Sequence, residues 1–284
     1  MSSASELVGL FDVEAVGPHR YVGHHDAGGR AIIDGSQVLA QSIVAATRST
    51  RGKVVRSAHA VFASPIAAAD PIDLEVQVIR EGRTFGAARV LGTQGGKPRT
   101  EVLVMVDVPQ PDVVRRAASM PATAPPADAI GPQMPFDGRE LRLVAVPDPN
   151  DPDHVGPPVL DAWVRYAEPP ARDDLVRALL AHFTGHLSIS TSLLPHPGLG
   201  TAQAHDTLST GVLSISVAFH EPVTATGWLL YRHESTQVGA GTSYVRGQVF
   251  TESGELVASF TQEGLIRAFV PEAGAEAIPV EARL

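Results

Sequence analysis

An amide, two histidines and a hydroxyl are the groups in this 284-residue chain whose types and settings could do chemistry. Gln262 lies in a run rich in Val, Phe, Leu and Ile, from Leu256 to Phe269. Residues two apart on a strand share a face, so Ala258, Phe260, Gln262, Gly264 and Ile266 point one way. An unpaired amide in that apolar row costs about 1–3 kcal/mol, so a backbone carbonyl, a water or a substrate should use it. His182 and His186 stand four apart in a helical stretch and share a face. An imidazole there can serve as a general base near neutral pH, or can be an ordinary half-exposed helix residue. The pair could begin a metal site, but the sequence shows no third ligand and no metal is expected. Thr210 offers either a hydroxyl to a site or a turn cap, and Asp34 either a carboxylate or a helix cap. With no cysteine in the chain, disulfides and thiol nucleophiles are excluded.

These groups must be held by strands and helices, and the chain announces both. Tyr244–Phe250 and Leu256–Phe269 form a hairpin pattern around Thr251-Glu252-Ser253-Gly254. Val54–Phe62, Ile72–Arg80, Phe85–Thr93, Thr100–Val108, Glu140–Val146 and Leu160–Tyr166 also read as strands. One helix is expected from Asp34 to about Thr47, with Asp34 and Gln37 spaced as a capping box. A second starts at Asp173-Asp174 and continues through Leu175, Leu179, Phe183 and Leu187, with Gly185 in its interior at a cost of about 1 kcal/mol.

The unit occurs twice. Ser57–Ile66 matches Ser214–Val223 at a shift of 157, with Phe62 over Phe219 and Pro65 over Pro222. At that shift Arg89 falls on Arg246, and a fixed offset across several landmarks marks a duplication. Between the copies lies a proline-dense stretch, with 14 of the 23 prolines between Pro109 and Pro170. The expected division is a unit over 1–110, a linker over 111–136 without fixed structure near Ala117–Ala129, and a second unit over 137–284.

Composition narrows the function. At 44% hydrophobic and 19% charged, the chain can build a full core. A net charge of −9 argues against nucleic acid and anionic membranes as partners. The N-terminus shows no targeting pattern and no apolar run nears membrane-spanning length, so a cytoplasmic protein is expected.

A helix followed by a long antiparallel sheet, made twice, is an α+β pattern, and a curved sheet wrapping a helix is the hotdog architecture. The sequence resembles the type II acyl-CoA thioesterases, TesB-like double hotdog proteins, over nearly its whole length. The resemblance rests on Gly35-Ser36-Gln37-Val38-Leu39-Ala40-Gln41, Arg80-Glu81-Gly82-Arg83-Thr84-Phe85 and Phe219-His220-Glu221-Pro222. Trp228-Leu229-Leu230-Tyr231, Val245-Arg246-Gly247 and Gln262-Glu263-Gly264 add to it.

The resemblance implies hydrolysis of fatty acyl-CoA by a positioned water, with no cofactor, metal or covalent intermediate. It implies an Asp on the second helix, a Thr on the following strand and a Gln on the last strand as the groups that hold this water. Gln262 matches the Gln, but the Asp position falls on Gly185 and the Thr position on Val212. A weakened or rearranged site is therefore expected, with His186 and Thr210 as substitutes and Gly185 and Val212 lining the substrate. Arg246, or Arg48, Arg51 and Lys53, either meet the CoA phosphates or are simply solvated. A catalytically silent acyl-CoA binder is the alternative. An enoyl-CoA hydratase needs a close Asp–His pair, which the sequence does not reveal. Association into a homo-oligomer through sheet edges is also expected.

Overall fold

The computed structural model describes residues 4–129, 138–146, 148–204, 206–222 and 224–268. The first half contains α1 (Ala4–Phe11), β1 (Glu14–Gly17), β2 (Arg20–Gly23), α2 (Gly35–Ser49), β3 (Val54–Phe62), β4 (Ile72–Glu81), β5 (Phe85–Gln94) and β6 (Lys97–Asp107). The second contains β7 (Arg139–Val144), β8 (Val159–Tyr166), α3 (Asp173–Phe183), α4 (Ser188–Leu193), β9 (Leu208–Phe219), β10 (Leu229–Gly239), β11 (Thr242–Thr251) and β12 (Leu256–Ala268). The twelve strands make one sheet in the order β1-β2-β4-β5-β6-β3-β9-β12-β11-β10-β8-β7. Read outward from its centre, each half repeats the other.

The register at the centre carries the duplication. Ser57 pairs with Ala218 and Val61 with Ser214. These are the residues that the shift of 157 exchanges. The internal two-fold thus passes through the His59–Ser216 pair, whose Nδ1 and Oγ lie 2.6 Å apart. This is the double hotdog: two curved half-sheets, each cradling a helix, joined at β3 and β9.

The helices sit inside. Every residue of α2 from Ser36 to Ala46 is buried, as suits a helix apolar on most of its circumference. Among its buried amides, Gln41 Nε2 donates to Leu10 O at 2.9 Å and His24 O at 2.7 Å, whereas Gln41 Oε1 has no partner among the described residues. Asp34 caps the helix, its Oδ1 accepting from Ser36 N at 3.0 Å. The capping box is not formed, because the Gln37 side chain turns instead to the Asp26 backbone.

The second helix is not continuous through Leu187. It stops at Phe183, Thr184 Oγ1 donates back to Ala181 O at 2.6 Å, and Leu187 takes a left-handed φ of 65° before α4 starts. Gly185 therefore lies in a break between two helices rather than inside one. The helix C-terminus packs against the start of α2, so α2 and α3 run antiparallel.

The proline-dense segment also differs from expectation near Ala117–Ala129. It lies over an outer apolar cluster of Trp163, Trp228, Leu230, Phe250 and Leu256, against which Met120 and Ala129 pack. Trp163 Nε1 donates to Ala124 O at 2.8 Å, fixing the segment to the sheet. Residues 130–137 and Phe269 onward lie outside the described residues. Among the described residues, no helix is long and apolar enough to cross a membrane.

One glycine shapes the inner face. A Cβ on Gly247 would fall 2.1 Å from Cζ of Phe260, the residue opposite it on β12. Gly247→Ala should push that ring aside and lower stability by about 1–3 kcal/mol, read as an earlier urea midpoint. An unchanged midpoint would mean that the ring has room to move.

Candidate active site between the two lobes

Gln262 is 1% exposed, and among the described residues neither Oε1 nor Nε2 has a hydrogen-bond partner. Buried polar side-chain atoms are nearly always paired, so an amide held this way is kept for something other than stability. It faces inward on β12 with Phe260 and Gly264, as the two-residue period predicts. The Phe260 ring meets His233 at 5.1 Å, and His233 lies against the backbone of His186. The amide row thus runs up to the break after α3.

A polar cluster sits at that break. His186 Nε2 is 3.5 Å from Asp34 Oδ2, reaching from the second lobe to the first. His182 and His186 meet edge to face at 4.9 Å, and Arg139 Nη1 donates to His182 Nδ1 at 3.3 Å. Phe183 stacks on His186 at 5.2 Å, and the Arg139 guanidinium lies 5.5 Å from the Phe183 ring centre. Ser36 Oγ, Ser188 Oγ and His182 Nε2 are buried without partners among the described residues. Unsatisfied polar atoms therefore gather around one point, the meeting of the α2 N-terminus with the α3 C-terminus.

Burial sets the charges here. Desolvation draws His186 down to about 4; Asp34 opposes that shift, whereas Arg139 and Arg30 reinforce it. His182 is held well below its usual value by burial and then by Arg139 and His186. Burial likewise lowers Arg139, opposed by Tyr166, Asp34 and Tyr231. Both imidazoles are neutral near neutral pH. His186 Nδ1 lies 3.2 Å from His182 O, which can only accept, so Nδ1 carries the hydrogen and Nε2 turns a lone pair toward Asp34.

Asp34, His182 and His186 each bring a ligand atom within 4.8 Å of the others. The third ligand missing from the sequence reading is therefore Asp34, and that expectation is corrected. A dication would nevertheless have to share this cluster with the Arg139 guanidinium, and like charges there repel strongly. The arrangement is better suited to holding protons than a metal.

The other sequence-selected residues divide. β9 carries an extra residue opposite β12, so Ile215 pairs with Gln262, Val212 with Gly264 and Thr210 with Ile266. Thr210 and Val212 thereby share the inner face with Gln262; Thr210 is buried and Val212 packs against the core. Gly185 lies within the cluster, where a Cβ would fall 2.5 Å from Ser36 Cβ. Arg246 is not brought in. It pairs across β11 with Thr261, on the opposite face, and its exposed side chain binds Glu234 at 2.8 Å. Arg48 is tied to Asp12 at the C-terminal end of α2, about 20 Å along the helix from Asp34. A groove of about 590 Å³ lined by His59, Phe85, Leu103 and Met105 also opens on the outer face, away from Gln262. The sequence reading missed Arg139, which no local pattern distinguishes.

Two family profiles cover this chain in tandem. Residues 24–107 match the acyl-CoA thioesterase N-terminal domain and residues 115–266 the acyl-CoA thioesterase C-terminal domain. The chain belongs to the acyl-CoA thioesterase family. It is 26% identical to acyl-CoA thioesterase 2 of Haemophilus influenzae, over 93% of this chain and 97% of that protein. It is 27% identical to mouse (Mus musculus) acyl-coenzyme A thioesterase 8, over 82% and 79% respectively. Among solved structures, the tesB protein of Mycobacterium avium subs paratuberculosis is similar with a TM-score of 0.80 at 25% identity, covering 93% of this chain and all of that one. An acyl-CoA thioesterase II of Mycobacterium marinum gives 0.79 at 25% identity, over 94% and 99%.

Proposed function

We propose that this chain hydrolyses fatty acyl-CoA thioesters to fatty acid and CoA. The reading rests chiefly on Gln262: an amide with both polar atoms buried and unpaired among the described residues, on the inner face of the last strand of a thioesterase-family fold. In this reading Gln262 orients the attacking water and His186 accepts its proton at Nε2. Thr210 contributes a hydroxyl along the same face, while Gly185 and Val212 border the acyl thioester. Water is a poor nucleophile near neutral pH, and a positioned proton acceptor is typically worth about 10²–10⁴-fold. The chemistry draws on no cofactor. The units of 1–110 and 137–284, joined by 111–136, each contribute one side of the site. A cytoplasmic setting and homo-oligomeric assembly complete the proposal.

Release of free thiol from octanoyl-CoA and palmitoyl-CoA tests this directly. Thiol should appear together with an equal amount of fatty acid. Binding of either ester without thiol release would favour a silent acyl-CoA binder. The close Asp34–His186 pair, absent from the sequence reading, favours one further alternative: addition of water to an enoyl-CoA. Loss of enoyl absorbance without thiol release would identify that activity.

A further inference from the structure

We infer that Asp34, on the first lobe, is the catalytic carboxylate of a site whose proton acceptor His186 belongs to the second lobe. The inference rests on the hydrolytic reading above and deepens it. Three observations carry it.

The first is a meeting of acceptors. His186 Nδ1–H is engaged by His182 O, so the Nε2 lone pair faces Asp34 Oδ2 at 3.5 Å. That separation leaves no room on the line between the two atoms, so a water held by both stands beside it, within hydrogen-bond reach of each. A water there gives one hydrogen to each and keeps its own lone pairs for an acyl carbon. The second is the division of labour within Asp34. Its Oδ1 takes the Ser36 amide at 3.0 Å, which fixes the carboxylate plane and directs Oδ2 at the imidazole.

The third is the shape of Gly185. A Cβ there would lie 3.3 Å from Asp34 Oδ1 and 2.5–2.6 Å from Ser36 Cβ and Oγ. Ser36 fills the space that a Cβ at 185 would take, and the Asp34 carboxylate lies just beyond it, where a longer side chain at 185 would reach. Carboxylate at 34 and no side chain at 185 are thus one arrangement, not two separate substitutions.

In the step itself, the water oxygen bonds to the acyl carbon while one of its protons passes to the Asp34–His186 pair. The C–S bond then breaks, the proton goes to the CoA sulfur, and the fatty acid loses its remaining proton to solvent. Asp34 acts on the water itself.

Asp34→Asn tests this, because asparagine caps helices about as well as aspartate. The melting temperature should hold and KM stay within about threefold, while kcat falls by about 100-fold or more. Retention of kcat within about threefold would overturn the inference. A second comparison moves the carboxylate. In an Asp34→Ala, Ser36→Gly background, which clears the contact at 185, adding Gly185→Asp should restore kcat by about tenfold or more. No recovery in a folded triple variant would overturn the inference. Absence of thiol release from the parent enzyme would overturn the hydrolytic reading together with it, whereas a fully active Asn variant would overturn this inference alone.

Discussion

Gln262→Leu should make the protein more stable and inactive at once. The amide bears a desolvation cost of about 1–3 kcal/mol with no hydrogen bond from the described residues in return, and leucine of similar size removes that cost. Its neighbours Ala258, Phe260 and Ile215 already form an apolar surround. The urea midpoint should therefore rise, by the equivalent of about 1–2 kcal/mol. Thiol release from palmitoyl-CoA should meanwhile fall by about 10²-fold or more, because the water loses its orienting group. Equilibrium unfolding and a thiol assay on the same preparation measure both effects. Reduced stability would mean that the amide has a structural partner; unchanged activity would remove it from the site.

His186→Gln should have the second large effect, a loss of about 10²–10⁴-fold in kcat. It should also alter the pH profile. The acceptor must be neutral, and burial holds His186 at about 4 with Asp34 opposing the shift and Arg139 and Arg30 adding to it. His182 and His233 also face this ring; burial holds His182 well below its usual value and His233 at about 4, so both are uncharged over the working range. Hydrolysis by the parent should therefore persist as pH falls through the ordinary histidine range and decline only near pH 4. The sign follows from the lowered value: protonation occupies Nε2 only below it. An exposed helix histidine would give a decline near pH 6, as the sequence alone suggests. A decline near that higher value would show that the imidazole is solvated. No change in kcat for the glutamine variant would remove His186 from the chemistry.

Much of this could be read before folding. The two-residue period placed Gln262 on an apolar face, and the structure buries it there. The shift of 157 between Ser57–Ile66 and Ser214–Val223 reappears as the register of the central strand pair. Both depend on local pattern, which a linear sequence preserves. Arg246 was within reach of the same logic: it pairs with Thr261, a neighbour of Gln262, and so must face away from it.

What remained hidden depends on packing between distant segments. Asp34 reads as a helix cap, and it is one; its second role requires α3 to end beside the start of α2. The helix break follows from a left-handed Leu187, a residue type with no preference for that conformation. Gly185 consequently looked like a flaw within a helix. Arg139, which supplies the buried positive charge, opens a strand and carries no sign of its destination.

Side-by-side single-turnover release of CoA from palmitoyl-CoA, by the parent chain and by Gln262→Leu, decides whether the Gln262 amide orients the attacking water. One CoA and one fatty acid should appear per thioester cleaved by the parent, with release at least about 10²-fold slower from the variant. Equal rates from the two proteins, or no release from a parent that binds the ester, would contradict it.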